Sequence, residues 1–314
     1  MADPIKWKSK IVLAKMEGAT YGVDPVPVGA TDAMLMTDVT LQPMEGEDVS
    51  RNLELAYLGA QEEIPTGLRS VLTGSVELAG SGTAGTAPAY GPLLRACGIA
   101  EVITANTMVE YTPVTDNHES AALYFWIGTT RFVLLGVRGT VVLTLNAQGI
   151  PVLRFTLTGL FTQPSDQARP VIDQSKWQAP QVASKANTPV FTIGGQGFVL
   201  RSFEFNLGND VQPRMLIGAE RIVIVDRAEA LALTVEAVTL ATYNPFLIAE
   251  QRTRKAVALQ HGAAAGRKIG LSVPTAQQKR PTAFSNAQGA LEWPLNFTPL
   301  ATAVGNDQWK LTVS

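Results

Sequence analysis

Asn146-Ala147-Gln148-Gly149, followed by Leu153-Arg154-Phe155-Thr156, recurs as Asn286-Ala287-Gln288-Gly289 followed by Phe297-Thr298. Such a group between apolar-alternating stretches suits a hairpin with glycine in the left-handed position. Leu153, Phe155 and Leu157 alternate with Arg154, Thr156 and Thr158, the period-two signature of a half-buried strand. Outward from this turn the match continues in order. Gly46-Glu47-Asp48-Val49-Ser50-Arg51 corresponds to Gly208-Asn209-Asp210-Val211-Gln212-Pro213-Arg214 with an insertion, and Ser75-Val76-Glu77 to Thr234-Val235-Glu236. Gly-Glu-Asp and Gly-Asn-Asp suit tight connections between strands. Two β units that merely share turn chemistry give such matches singly; an ordered series points to a duplicated domain.

The remainder of the chain fits a mainly β class. Alternation marks residues 5–13, 35–41, 231–235 and 309–313, and Phe132-Val133-Leu134-Leu135 reads as more fully buried. Two stretches read as helices: residues 88–98, and residues 244–262, where Asn244-Pro245 supplies an N-cap and first-turn proline, Phe246, Ala249, Thr253 and Val257 recur at helical spacing, and Gly262 caps the end. Residues 162–189 hold Pro164, Pro170, Pro180 and Pro189 without periodicity and read as a linker. The expected order is a first domain over residues 1–165, a linker over 166–189 and a second domain over 190–314. A Gly- and Pro-punctuated arm, centred on residues 18–30 within about 16–34, reads as a long functional loop of the first domain.

The chain has 314 residues, 46% hydrophobic and 17% charged, with net charge −2. That length fits two domains. The charged fraction lies below the ~25% usual for globular domains and fits a surface covered by other subunits. A protein gripping DNA phosphates carries a basic excess, and none is present. Cys97 is the only cysteine and His118 and His261 the only histidines; no disulfide framework, metal site, catalytic triad or cofactor is expected. His118 sits in a polar stretch that reads as a solvated loop; His261 reads as a helix end. Residues 1–10 lack the apolar core of a signal peptide, and no run approaches the ~18 apolar residues of a membrane span. The expectation is a protein made and kept in the cytoplasm unless something larger carries it out.

Gly80-Ser81-Gly82-Thr83-Ala84-Gly85 has the glycine spacing of a dinucleotide fingerprint. No βαβ alternation surrounds it and residues 238–244 of the second copy hold no glycine, so it reads as a flexible loop. Arg252, Arg254 and Lys255, with Arg267 and Lys268 beyond, form the basic cluster of note. It reads either as a solvated helix face or as a salt-bridging contact with a neighbouring subunit. The tryptophans (Trp7, Trp126, Trp177, Trp293 and Trp309) are scattered, unlike the clustered aromatics of a carbohydrate-binding module.

The opening Ile11-Val12-Leu13-Ala14-Lys15, then Gly18-Ala19-Thr20-Tyr21-Gly22-Val23-Asp24-Pro25-Val26-Pro27, resembles the N-terminus of tail tube proteins of long-tailed, non-contractile bacteriophages. The resemblance covers the first half and extends through the repeat, although the second copy lacks a counterpart of the arm. It implies two tandem tail-tube-like β-sandwich or barrel domains, each with a flanking helix, and strands from adjacent subunits joined around a lumen. Duplication implies three chains per ring of six domains. Implied partners are the chain itself, the tape measure protein, tail-end proteins and double-stranded DNA in passage; the implied location is the virion tail, assembled in the host cytoplasm. Tyr21, Val23, Pro25 and Pro27 are then candidates for contacts between rings, with Arg252, Arg254 and Lys255 for contacts between subunits. Glu54 and Glu77, near the apolar stretches 53–58 and 71–78, are candidates for the lumen and equally for ordinary outer surface. Other virion parts (tail terminator, baseplate hub, capsid decoration protein) are the nearest alternatives, ahead of a β-rich binding module.

Overall fold

The computed structural model describes residues 4–314; residues 1–3 of the N-terminal stretch read above lie outside the described residues. Strands account for 51% of residues and helices for 5%, which makes the chain mainly β with large antiparallel sheets. The first half runs β1 (Lys10–Met16), the single-turn helix α1 (Gly29–Asp32), β2 (Ala33–Met34), β3 (Thr37–Ser50), β4 (Glu63–Glu77), α2 (Gly91–Ala96), β5 (Ile99–Thr104), β6 (Met108–Pro113), β7 (Ala121–Ile127), β8 (Thr130–Asn146) and β9 (Val152–Phe161). A connecting strap holds β10 (Ser165–Asp166). The second half runs β11 (Val190–Ile193), β12 (Gln196–Gly197), β13 (Leu200–Asn206), β14 (Asn209–Leu216), β15 (Ala219–Arg227), β16 (Ala230–Glu236), α3 (Pro245–Glu250), β17 (Arg254–His261), β18 (Ile269–Gln278), β19 (Ser285–Ala287), β20 (Ala290–Pro299) and β21 (Lys310–Val313).

The sequence repeat corresponds to a repeat of strand pairing. In the first half the ladder order is β3–β4–β9–β8–β7–β1. In the second it is β13–β16–β20–β18–β17–β11. The Asn-Ala-Gln-Gly turns join β8 to β9 and β19 to β20. The left-handed residue is Gln148 in the first turn (φ 63°), whereas Gln288 and Gly289 share it in the second (φ 54° and 83°). Gly46 and Gly208 are also equivalent in place, but Gly46 lies inside β3 beside register shifts and makes no tight turn. Both glycines stand where a long hairpin leaves the sheet.

The halves are not separate bodies. β8 has different partners along its length: its N-terminal part pairs with β7, and residues 142–146 pair with β13 of the second half. The last strand, β21, pairs with β6 of the first half through Leu311↔Tyr111 and Val313↔Val109. One core cluster contains Val12, Leu72, Phe155 and Tyr111 together with Phe203, Leu233, Trp293 and Val313. Phe205 meets Trp309 edge-on at 5.4 Å, and Phe203 meets Phe191 at 6.2 Å. These contacts place the core between the shared sheet and the outer ladders.

Several expectations are corrected. The helix expected over residues 244–262 ends at Glu250; Arg252 then turns the chain with φ 55° and residues 254–261 form β17. Its buried Val257, Leu259 and His261 follow period two, and this outweighs the coincidental helical spacing of Phe246, Ala249, Thr253 and Val257. The apolar stretch 53–58 belongs to the exposed loop between β3 and β4. Ile5 and Trp7 lie exposed ahead of β1, and Leu35 lies exposed between β2 and β3. Of the run 132–135, only Leu134 is fully buried.

The expected linker is an ordered strap. Trp177 donates to Ala33 O at 3.0 Å and packs near Tyr90, and Ala183 exchanges backbone hydrogen bonds with Gln148 and Gly149. The Gly80–Gly85 loop, expected to be flexible, abuts the second half: Gly82 N donates to Gly266 O at 2.9 Å, and a Cβ on Gly80 would collide with that carbonyl. Glycine is required there by backbone-to-backbone approach.

Candidate assembly surface

Strand registers carry continuous rows of side chains across both halves on the face turned away from the core. Thr40, Thr73, Thr156 and Thr140 form one row over β3, β4, β9 and β8. The Thr40 and Thr73 hydroxyls share a hydrogen bond of 2.5 Å. Glu77, Val152, Thr144, Glu204, Ala232 and Asn296 form another, which crosses from β4 to β20 through the seam. Alternation explains the composition: Leu153, Phe155, Leu157, Leu143, Phe203, Phe205, Leu231 and Leu233 take the core side. Small polar residues and scattered carboxylates remain for the open side.

Charge on this face is low and partly neutralised. Arg201 Nε lies 2.5 Å from Glu292 Oε1, and Arg69 lies 3.4 Å from Glu45. Glu236 stands opposite Glu292 at the far end of the sheet. Glu292 is buried, and its Oε2 has no hydrogen-bond partner among the described residues. Arg154 is exposed amid the threonines. Of the sequence-derived lumen candidates, Glu77 lies within these rows, whereas Glu54 sits in the loop at the far end of the β3–β4 hairpin; the structure does not bring them together.

Each half carries a hairpin that leaves the sheet. That of the second half, β14–β15, is docked on the first half. Asn209 Nδ2 donates to Cys97 O and Gly139 O at 2.7 and 2.8 Å, and Arg138 Nη1 donates to Ile222 O at 2.8 Å. Arg227 Nη2 donates to Gly98 O at 2.8 Å, and Ile222 is fully buried. Burial holds the Arg227 and Arg138 guanidiniums below the usual arginine range. The first-half hairpin, beyond Gly46, has no such cover: Val49, Leu53, Leu55, Tyr57, Leu58 and Ile64 are all exposed.

The N-terminal arm is fastened to its own subunit. Glu17 accepts from the N–H groups of Gly22 and Gly136 and from the Ser120 hydroxyl, and Asp24 accepts from the Tyr124 hydroxyl at 2.5 Å. The Tyr21 hydroxyl donates to Gly136 O at 2.9 Å and accepts from Ile222 N at 2.7 Å. Burial pushes its pKa up. Tyr21 is therefore engaged between the halves. Pro27 is buried, Pro25 half-buried with its carbonyl taken by Lys15, and Val23 exposed.

Arg252, Arg254 and Lys255 do not share a helix face. Arg252 follows α3, and Arg254 and Lys255 open β17 opposite Gln277 and Ala276. None forms an ion pair among the described residues. Lys279 and Arg280, exposed just past β18, extend this positive patch in space.

No protein-family model matches the chain, and no curated protein matches it.

His261 lies elsewhere than expected, and His118 lies in its expected loop but is not fully solvated. His261 is buried at the end of β17, its Nδ1 near the Thr188 hydroxyl and its Nε2 near Gln181 O, and burial lowers its pKa. His118 is half-buried, with Nε2 at 2.9 Å from Val114 O, and burial lowers its pKa too. Burial pushes the Cys97 thiol up, away from the reactive thiolate. Among the described residues no group of His, Cys, Asp and Glu has the arrangement of a metal site, and no helix is long and apolar enough to cross a membrane. What sequence reading missed is the second partner of β8. The available signal was the strand's length, with alternation of Val141, Leu143 and Leu145 running beyond Gly136 and Gly139.

Proposed function

We propose that the chain is a ring-forming structural subunit of the tail tube of a long, non-contractile-tailed bacteriophage, with its halves acting as paired tube-like units. The observation that carries this reading is the open polar face, which continues without a break from β4 to β20 across the seam. Three chains would close such faces into one barrel around a lumen, a closure that also removes exposed sheet edges. DNA must slide through that lumen without sticking. Each basic side chain adds phosphate affinity; the threonine, alanine and asparagine rows with Glu77, Glu204 and Glu236 add none, and exposed Arg154 is an exception within them. Tape measure and tail-end proteins are the further partners of this reading, and the virion tail its location. Electron microscopy of the concentrated protein tests it: hollow tubes or stacked rings are expected, and particles that remain single chains at every concentration would refute it.

A further inference from the structure

The internal seam prescribes a second one between chains. In the second half, the outermost strand β13 pairs on one side with β16 and on the other with residues 142–146 of β8. Its first-half equivalent is β3, where Leu41 opposite Leu72 matches Phe205 opposite Leu231, and Val39 matches Phe203 in burial. Yet β3 pairs as a strand only with β4 among the described residues, with Lys10 Nζ donating to Val39 O at 2.6 Å.

The equivalent of residues 142–146 also lacks a partner strand on its outer side. The shared Asn-Ala-Gln-Gly turn aligns them with residues 282–286, where only β19 is formed, paired to β20 alone. Residues 279–284 make no strand. Beside them lies a groove of about 580 Å³, lined by Ala249, Gln277, Lys279, Arg280, Thr282 and Asn296. Two residues past groove-lining Thr282, Phe284 is 68% exposed and faces Phe246, 43% exposed, with ring centroids 6.4 Å apart.

The hairpins complete the correspondence. β14–β15 is covered by the first half, and its counterpart, the β3–β4 hairpin, is uncovered and apolar at its tip. That hairpin also carries Glu45, Glu47, Asp48, Glu54, Glu62 and Glu63. The groove is bordered by Lys279 and Arg280, with Arg254 opposite groove-lining Gln277. Acidic hairpin and basic rim are complementary.

We infer that β3 of one chain adds as a strand to residues 282–286 of a second copy, repeating the β8–β13 ladder, while its acidic hairpin lies along the copy's basic rim. This rests on the ring reading and fixes its interface. Transferring the internal register sets Val39 opposite Ser285, Thr40 opposite Phe284 and Leu41 opposite Ala283. The contact is heterologous, so it propagates from chain to chain and closes only through the symmetry of a ring. It also couples assembly to strand formation: residues 282–284 extend β19 when β3 arrives. Before that the accepting edge is irregular, which protects the free chain from indiscriminate edge pairing.

The test mixes two variants that each add one exposed cysteine, Thr40→Cys and Phe284→Cys, under mild oxidation; native Cys97 is fully buried. The expected result is disulfide-linked pairs in the mixture and none in either variant alone. Linkage of Thr40→Cys to itself would mean edge-to-edge pairing and overturn the proposal. So would absence of linkage in a mixture that microscopy shows assembled, an outcome that leaves the ring reading standing. Linkage in open filaments without rings supports the seam and removes the tube. Absence of any assembled particle removes both.

Discussion

Phe205 of β13 and Leu143 of β8 stand directly opposite one another across the ladder that joins the two halves, both facing the core. Truncating Phe205 leaves a cavity at the seam. Phe205→Ala is expected to cost about 3–5 kcal/mol in chemical denaturation. Wild type and variant should each unfold in a single transition, because sheet and core are continuous between the halves. Separate transitions for the two halves would contradict this.

Tyr21 ties the arm to the β14–β15 hairpin. Tyr21→Phe leaves the Ile222 N–H without its acceptor and should cost about 1–3 kcal/mol. Hydrogen exchange should accelerate along β15 before it does along β13 or β16. Unchanged protection at Ile222 would show that the hydroxyl does not hold the hairpin.

His261 and His118 are held below the ordinary histidine range by burial. The unfolded chain therefore binds protons that the folded chain refuses. Stability is full above the ordinary value of about 6.5 and falls as pH drops from there toward the depressed folded values. Denaturation midpoints should fall between about pH 8 and about pH 5, and His261→Gln should flatten part of that fall. An equal slope in the variant would remove His261 as its cause.

These sites also show how far the sequence could be read. The Asn-Ala-Gln-Gly turns and the alternation at residues 153–157 were legible because turn chemistry and strand period are local. α2 lay within its expected stretch for the same reason. The β17 stretch misled because Phe246, Ala249, Thr253 and Val257 satisfy a helical period by accident while the buried set follows period two. The partner of residues 142–146, the docking of Tyr21 and the ordered strap depend on long-range contacts that leave no local pattern. Glu77 could be placed on the open face only once the β4–β9 register was known.

Charge should govern the proposed contact between chains. Lys279→Glu with Arg280→Glu should abolish assembly without unfolding the exposed segment, and adding Glu47→Lys with Asp48→Lys to the same chain should restore it. Failure of the restoring pair, with both proteins folded by circular dichroism, would place the acidic hairpin elsewhere.

The open face is expected to repel DNA weakly or ignore it. Thr156→Arg with Glu204→Arg introduces phosphate contacts in the proposed lumen, so assembled tubes should retain short duplex DNA at low salt and release it as salt rises. Wild-type tubes should retain none, and equal retention by both would argue against that face as the channel wall.

The most direct measurement is a cryo-electron microscopy reconstruction of the assembled particle. The expected result is rings of three chains whose lumen is lined by Thr156, Thr144, Glu204 and Asn296, with β3 of each chain paired to residues 282–286 of the next. A particle in which that face is turned outward or buried against another layer would contradict it.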